Sequence, residues 1–570
     1  MNNLQSVQAL EGGMLTELGI GLRKSVVTVA TLLTVAVIGA PQTTLAVGVA
    51  AADGAAAGQP AAALPALIEA GLLAGAYDVD ETVQIFYRQR GFQPVWNRPE
   101  RIHELIAAVE ALRDHGLDPS EFEADGLRAE ASLSVAALPP ERQVERELRL
   151  TGTLARLVQQ IRFGRVDPRG LYRMWNFSVP EQAFERALRL SGVVDGPSLQ
   201  AAVEAQAPDL PLYRELRAAL QQYRALAALG DWPKVPGGAT LRPGERSARV
   251  PAVRARLAAE GEGEGDDGLV GSDDPARYDD ALARAVMRFQ QRAGLAPDAA
   301  IGRQTVDALN IGPAQRVDQI RVNLERLRWV AQDMQGDHLL VDITAYHAHL
   351  WLGGLPAWSS RVIVGKSARA TPALLDSVQH LVFNPKWVVP PTILREDVIP
   401  GVVRNPEYLT DHRMRVVDRS GQAVDPALID WQNARRSGFP YMIVQASGAD
   451  GSLGRIKFSL ANPYSIYLHD TNARSLFRRD MRALSSGCVR LEKPQELALI
   501  LLDDAARWTP EALEAALAGG KTRSVPVARE IPVLLHYATA GLDEEGRFQF
   551  RPDIYDRDAA VLAALNAAPR

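Results

Sequence analysis

Leu339-Leu340-Val341-Asp342-Ile343-Thr344-Ala345-Tyr346 is where the chain changes its period. Leu339, Val341, Ile343 and Ala345 alternate with Leu340, Asp342, Thr344 and Tyr346, and a period of two marks a β-strand. Before this stretch the apolar residues recur at helical spacing, as in Leu105, Val109 and Leu112, or Leu150, Leu154 and Leu157. After it, strand-like runs return at 360–364, 380–383, 456–459 and 465–468, and helical signals at 494–502 and 510–517. The chain therefore reads as multidomain α+β, helical ahead of the switch and mostly β behind it.

At 570 residues the chain is long enough for three to four domains at roughly 150 residues each. Its 47% hydrophobic and 23% charged residues exclude a wholly disordered or collagen-like chain. A net charge of −5 gives no chain-wide basic surface for nucleic acid, so no nucleic-acid partner is expected. The single cysteine, Cys488, excludes an intrachain disulfide framework, a Cys-based zinc site and an iron–sulfur cluster. His347 and His349 share one face of a strand, but no third ligand accompanies them, so no metal site is expected.

Arg23 and Lys24 precede an uncharged, mostly apolar run over 26–40, and Thr44-Leu45-Ala46 supplies a small-x-small site. A basic region, a short apolar run and small residues describe an export signal, here 1–46. The run is shorter than the roughly 20 residues that span a bilayer. Membrane contact is expected only through this signal if it stays uncleaved. Residues 47–66, rich in Ala and Gly, read as a flexible tether.

Helical patterning from 67 to 235 predicts an all-α scaffold, broken into short helices by Gly116 to Pro119 and Gly164 to Pro168. A linker follows at 233–238. Over 238–313 three short helices are predicted around Val250, Val253 and Leu257, then Leu282, Val286 and Phe289, then Thr305, Val306 and Leu309. An acidic, Gly-rich loop at 261–268 separates the first two. The mostly β domain is expected over 320–570, with the mixed segment 391–448 inserted as a lid.

Cys488 lies in Leu484-Ser485-Ser486-Gly487-Cys488-Val489-Arg490, and Gly487 lets backbone or ligand approach closely. His469 ends the run Ile466-Tyr467-Leu468-His469. An imidazole in reach of a thiol can draw its proton and activate a nucleophile. Residue pattern alone leaves three readings of Cys488 open: a nucleophile, an inert buried thiol, or half of an intermolecular disulfide.

His469-Asp470-Thr471 followed by Ser485-Ser486-Gly487-Cys488-Val489-Arg490 resembles the signature of the L,D-transpeptidases, the YkuD-type catalytic domain. Asn323 to Trp329, Asn384 to Pro390 and Arg551 to Tyr555 are similar to the large, YcbB-like periplasmic subfamily. The three short helices, with Ala285-Val286, Phe289-Gln290, Ile301-Gly302 and Leu309-Asn310, resemble a peptidoglycan-binding domain, although its usual Asp-Gly turn is Asp298-Ala299 here.

The resemblance implies a thioester acyl-enzyme on Cys488, release of the terminal D-alanine of a peptidoglycan stem, and a 3→3 cross-link. It implies His469 as the base, its second ring nitrogen held by the Asp470 carbonyl, and backbone N–H groups of Ser486, Gly487 and Cys488 as an oxyanion hole. Tyr467, Arg490 and Trp387 are expected to bind substrate. For Arg490, a structural acid partner is the equal alternative. The usual His of the Ser-His-Gly-Cys element is Ser486 here, so no base is drawn from that position.

No metal or cofactor is implied. Stem peptides and glycan are the expected partners, enzymes of cell-wall synthesis are candidates, carbapenems are expected acylating agents, and the expected compartment is the periplasm, with a role in wall biogenesis and cell shape. Two rivals stand beside this reading: a thiol carboxypeptidase that trims stems, and a non-catalytic wall-binding scaffold.

Overall fold

The computed structural model describes residues 63–178, 181–261 and 274–568. The predicted signal, most of the tether, and the acidic loop beyond Gly261 lie outside the described residues. The last tether positions are helical, since a helix already runs over Leu64–Leu73 with proline in its first turn.

The scaffold is all helix. Its longest member, Pro140–Phe163, buries Val144, Leu148, Thr151, Leu154, Val158 and Ile161, a stripe at intervals of three and four that faces its neighbours. Gly164 ends it at φ +92, and a Cβ there would stand 2.6 Å from Glu325 Oε1. Glycine is required because another helix, Pro313–Val330, passes this close.

That helix joins the two halves of the molecule and is buried on nearly every side. Glu325 accepts from the Val166 N–H at 2.7 Å and from Trp329 Nε1 at 3.1 Å, and pairs with Arg328 at 2.7 Å. Arg328 also donates to the His115 carbonyl and the Tyr213 hydroxyl. Asn323 exchanges two hydrogen bonds of 2.8 Å with Thr539. A buried ion pair persists only with its remaining valences filled, as they are here.

The three short helices of the next unit are Val250–Ala259, Asp280–Arg292 and Arg303–Leu309, around a core of Val253, Leu257, Leu282, Val286, Phe289 and Leu309. The linker predicted at 233–238 is tied down. Val235 and Asn310 exchange two hydrogen bonds, and Trp232 stacks on fully buried Arg256 at 3.8 Å. Ala299 holds the left-handed turn at φ +57, its N–H donating to Gln290 Oε1 and its carbonyl accepting from Tyr278.

The β region holds β1 His338–Asp342, β2 His347–Leu352, β3 Leu355–Gly365, β4 Leu374–Phe383, β5 Trp387–Val388, β6 Met414–Val417, β7 Ala423–Val424 and β8 Met442–Gln445. It continues with β9 Ile456–Leu460, β10 Leu468–His469, β11 Ala483–Ser485, β12 Val489–Leu491, β13 Arg523–His536, β14 Ala540–Leu542 and β15 Phe548–Phe550. The main sheet runs β11-β3-β12-β10-β9-β4-β13-β1-β2, and β2 also pairs β3, so the sheet closes on itself. Its interior is filled by side chains such as Val341, Val362, Phe458, Leu468 and Val533, all fully buried. Helices Pro494–Leu502 and Pro510–Ala518 pack on this core.

Two strand expectations change. The strand expected through Tyr346 stops at Asp342, whose carboxylate accepts from Thr344 Oγ1 and the Ala345 N–H and so turns the chain. The run expected at 465–468 shrinks to β10, because the Asn462 side chain bonds the backbone of Tyr464 and Ile466 and Ser465 adopts φ +57. The segment expected as a lid carries its own sheet, β5-β8-β6-β7, and its own core of Val389, Val398, Val402, Val416 and Ile443.

Candidate active site

β10 and β12 lie side by side and parallel, in the register Leu468↔Val489 and His469↔Arg490. Cys488 immediately precedes β12, and the Val489 N–H donates to the Tyr467 carbonyl, so Tyr467 stands opposite Cys488. On the other flank β9 sets Lys457 against His469. The topology thus brings a thiol, an imidazole, a phenol and two cations into one patch. Lys457 lies 4.8 Å from the centroid of the Tyr467 ring, which meets the His469 ring edge-on.

His469 is buried, and its Nδ1 lies 2.5 Å from the Asp470 carbonyl oxygen. A carbonyl only accepts, so Nδ1 carries the proton. Burial, with the Arg490 charge beside it, pushes the imidazole pKa down to about 3. The ring is therefore neutral at physiological pH, with a bare lone pair on Nε2. The Asp470 carboxylate is engaged elsewhere, accepting from the Arg455 N–H at 2.9 Å and from Arg474.

Cys488 is partly exposed, and its Sγ donates to the Ser465 carbonyl at 3.5 Å. Burial pushes the thiol pKa up, against the opposing pull of Tyr467, Lys457 and Arg490. The resting pair is thus thiol and neutral imidazole, not thiolate and imidazolium. No hydrogen bond joins the two side chains in this arrangement; catalytic hydrogen bonds commonly tighten only once substrate is bound.

Around the cysteine the backbone is set by glycine and serine. Gly487 has φ +115, a conformation that excludes a side chain. Its N–H donates to Ser485 Oγ at 3.1 Å, and that hydroxyl donates to the Cys488 carbonyl at 2.6 Å. This corrects the expectation for Gly487: its N–H is already engaged. The N–H groups of Ser486 and Cys488 make no hydrogen bond among the described residues.

Arg490 is half-buried, forms no ion pair among the described residues, and leaves its Nε unpartnered. Of the two readings of this residue, the structural acid partner is missing. Trp387 lies on β5 in the lid sheet, paired with Gln445, and no contact brings it to the thiol. His347, on β2, pairs with Glu544 at 2.8 Å and is separated from β10 by β3 and β12.

Sequence reasoning missed the segment between β3 and β4. Lys366 N–H donates to the Ser485 carbonyl, Arg369 to Ser486 Oγ, and Thr371 Oγ1 to the Gly487 carbonyl. Nothing in its composition marks it, since these bonds exist only once β3 and β11 pair.

Three families match parts of the chain: a scaffold domain over residues 81–220, a "Putative peptidoglycan binding domain" over 246–309, and the L,D-transpeptidase catalytic domain, YkuD, over 336–508. A "Putative L,D-transpeptidase" of Haemophilus influenzae is 39% identical over 270 residues, which cover 46% of this chain and 54% of that protein. The match thus spans about half the length of that relative. Two crystal structures are also similar. The L,D-transpeptidase of Xylanimonas cellulosilytica is 14% identical, covering 53% of this chain and 99% of its own at a TM-score of 0.18. That of Stackebrandtia nassauensis is 12% identical, covering 53% and 96%, at a TM-score of 0.17. Scores this low carry no weight beside the matched domains and the residues within them. The chain carries a YkuD L,D-transpeptidase catalytic domain together with a peptidoglycan-binding domain.

Proposed function

We propose that the protein is a cysteine L,D-transpeptidase that forms 3→3 cross-links between peptidoglycan stems. Cys488 Sγ attacks the carbonyl carbon of the third stem residue while His469 Nε2 takes the thiol proton. The C–S bond forms, the amide C–N bond breaks, and the proton passes from His469 to the departing D-alanine amine. The side-chain amine of a second stem then attacks the thioester. A new amide forms, the C–S bond breaks, and the acceptor's proton returns through His469 to the sulfur.

The observation that carries this reading is His469, its Nδ1 proton held by the Asp470 carbonyl, on the strand beside the lone cysteine. It is a base ready to accept from a thiol that is itself still protonated. Arg490, without an acid partner, suits a substrate carboxylate. Trp387, on the lid sheet, contacts the donor stem when the lid closes over it. The 26–40 sequence supports export to the periplasm; among the described residues no helix is long and apolar enough to cross a membrane.

Acylation by a carbapenem tests the site. Intact-protein mass spectrometry should show one adduct per chain, lost in Cys488→Ala, and a tetrapeptide stem with an acceptor amine should release D-alanine and yield cross-linked dimer. Hydrolysed tripeptide alone would favour the carboxypeptidase, and a folded protein that takes no adduct would favour the non-catalytic scaffold.

A further inference from the structure

We infer that Thr371, at the end of the loop between β3 and β4, aims the Cys488 N–H at the oxyanion, an inference that rests on the acyl-transfer reading above. The Thr371 side chain is fully buried. Its Oγ1 lies 2.8 Å from the Gly365 N–H and 2.8 Å from the Gly487 carbonyl. An N–H only donates and a carbonyl only accepts, so the hydroxyl's orientation is fixed: it accepts from Gly365 and donates to Gly487.

The Gly487 carbonyl and the Cys488 N–H belong to one peptide unit, and the described chain holds no cis peptide bond. In a trans unit the two groups point in opposite directions. Drawing the carbonyl inward onto Thr371 therefore turns the Cys488 N–H outward, on the side away from the loop. Without this bond the peptide could swing, because Gly487 has no side chain to resist it.

The brace is itself held. Tyr555 Oη donates to the Gly365 carbonyl at 2.6 Å and accepts from the Thr371 N–H at 3.2 Å. It thus pins the same two residues that the threonine hydroxyl joins. Tyr555 stacks on Tyr537 at 5.3 Å. A Cβ on Gly365 would stand 2.2 Å from the Arg369 carbonyl oxygen, so the loop is closed as tightly as a backbone allows. Thr371 touches no reacting atom; it is a positioning residue.

The test compares two reactions at the same sulfur. Acylation by a carbapenem builds an oxyanion on the lactam carbonyl. Alkylation by iodoacetamide forms C–S as C–I breaks and builds none. Removing one oxyanion donor costs about 10²–10³ in rate, so misaiming one by Thr371→Val should slow acylation about 10- to 100-fold. Alkylation should stay within about twofold of wild type, because it draws nothing from the oxyanion donors. Thr371→Ser, which keeps the hydroxyl, should restore acylation. If Thr371→Val does not fold, Tyr555→Phe is read by the same ratio and should slow acylation alone.

Wild-type acylation by folded Thr371→Val, an equal loss in both reactions, or a Thr371→Ser as slow as the valine would overturn the inference. Failure of the acyl-transfer reading looks different: folded wild-type protein would itself take no carbapenem, and the inference would fall with it.

Discussion

Cys488, just before β12, and His469, on the neighbouring β10, are two neutral groups, and this sets the pH behaviour of the site. Burial holds the imidazole down to about 3 and pushes the thiol up. Carbapenem acylation needs the bare Nε2, so it should stay level from about pH 5 to 8 and fall only as His469 protonates. Alkylation by iodoacetamide needs the thiolate and should rise about tenfold per pH unit over the same range. Equal alkylation rates at pH 6 and pH 8 would instead reveal a preformed ion pair and overturn the assignment. His469→Ala should slow acylation about 100- to 10,000-fold, the usual cost of a lost general base. Ser486→Ala should cost far less, since only its N–H faces the reaction. Rates on both variants decide this, and an equal loss in the two would remove His469 from its role. Cys488 and His469 stood out in sequence as a lone thiol and a strand-ending histidine, but only the resemblance gave them roles; the fold sets their strands side by side. Thr371 did not stand out, because a threonine becomes a brace only through what the fold sets against it.

Among the elements, the loop over 366–370 is the joint between lid and catalytic loop. Arg369 donates to Asp397 Oδ1 and Glu396 Oε2, each at 2.9 Å, and to Ser486 Oγ at 3.0 Å. Both acids lie in a π-turn over Leu394–Val398, a form of helix found often at functional sites. The carboxylates are partly exposed, so the pairs are worth little as stability and more as position. Arg369→Ala should leave the melting temperature within a few degrees. It should slow acylation several-fold and speed proteolysis within the lid, read by limited trypsin digestion and mass mapping. Unchanged rates in both assays would show that the lid and the catalytic loop are not coupled here. The helices of this chain were readable from their periodicity and their prolines at the first turn, as with Pro494–Leu502. β13 was not. Pro526 and Pro532 argue against a central strand, yet the pairing with β4 shifts register between Pro526 and Ile531 and lets the strand continue.

Across the whole molecule, six of the nine histidines have depressed pKa values, with burial the leading cause each time: His115, His338, His347, His349, His469 and His536. An unfolded histidine takes up its proton near pH 6.5, whereas these stay neutral in the fold to lower pH, His347 and His469 down to about 3 and His536 down to about 4. The unfolded state then binds more protons, so stability present above about pH 6.5 is lost as pH falls. The melting temperature should drop steadily between pH 7 and pH 5 in differential scanning calorimetry. A flat profile would mean that these rings are solvated. At this scale the independence of the parts was not legible in the sequence. The predicted linker at 233–238 is stitched to Asn310, and the resemblance-bearing stretch from Asn323 to Trp329 proves to be a buried junction.

The closure of β2 onto β3 has a further consequence. A strand on the rim of an open sheet offers unpaired N–H and C=O groups to any other chain that can add a strand, the usual seed of aggregation. The long β13 is paired on both sides, by β4 and β1, and among the described residues the strand that ends this sheet's order with a single partner is the three-residue β11. In the lid, the outermost strands β5 and β7 are two residues each. Among the described residues, the strands left with a single partner at the ends of these sheet orders are too short to hold another chain.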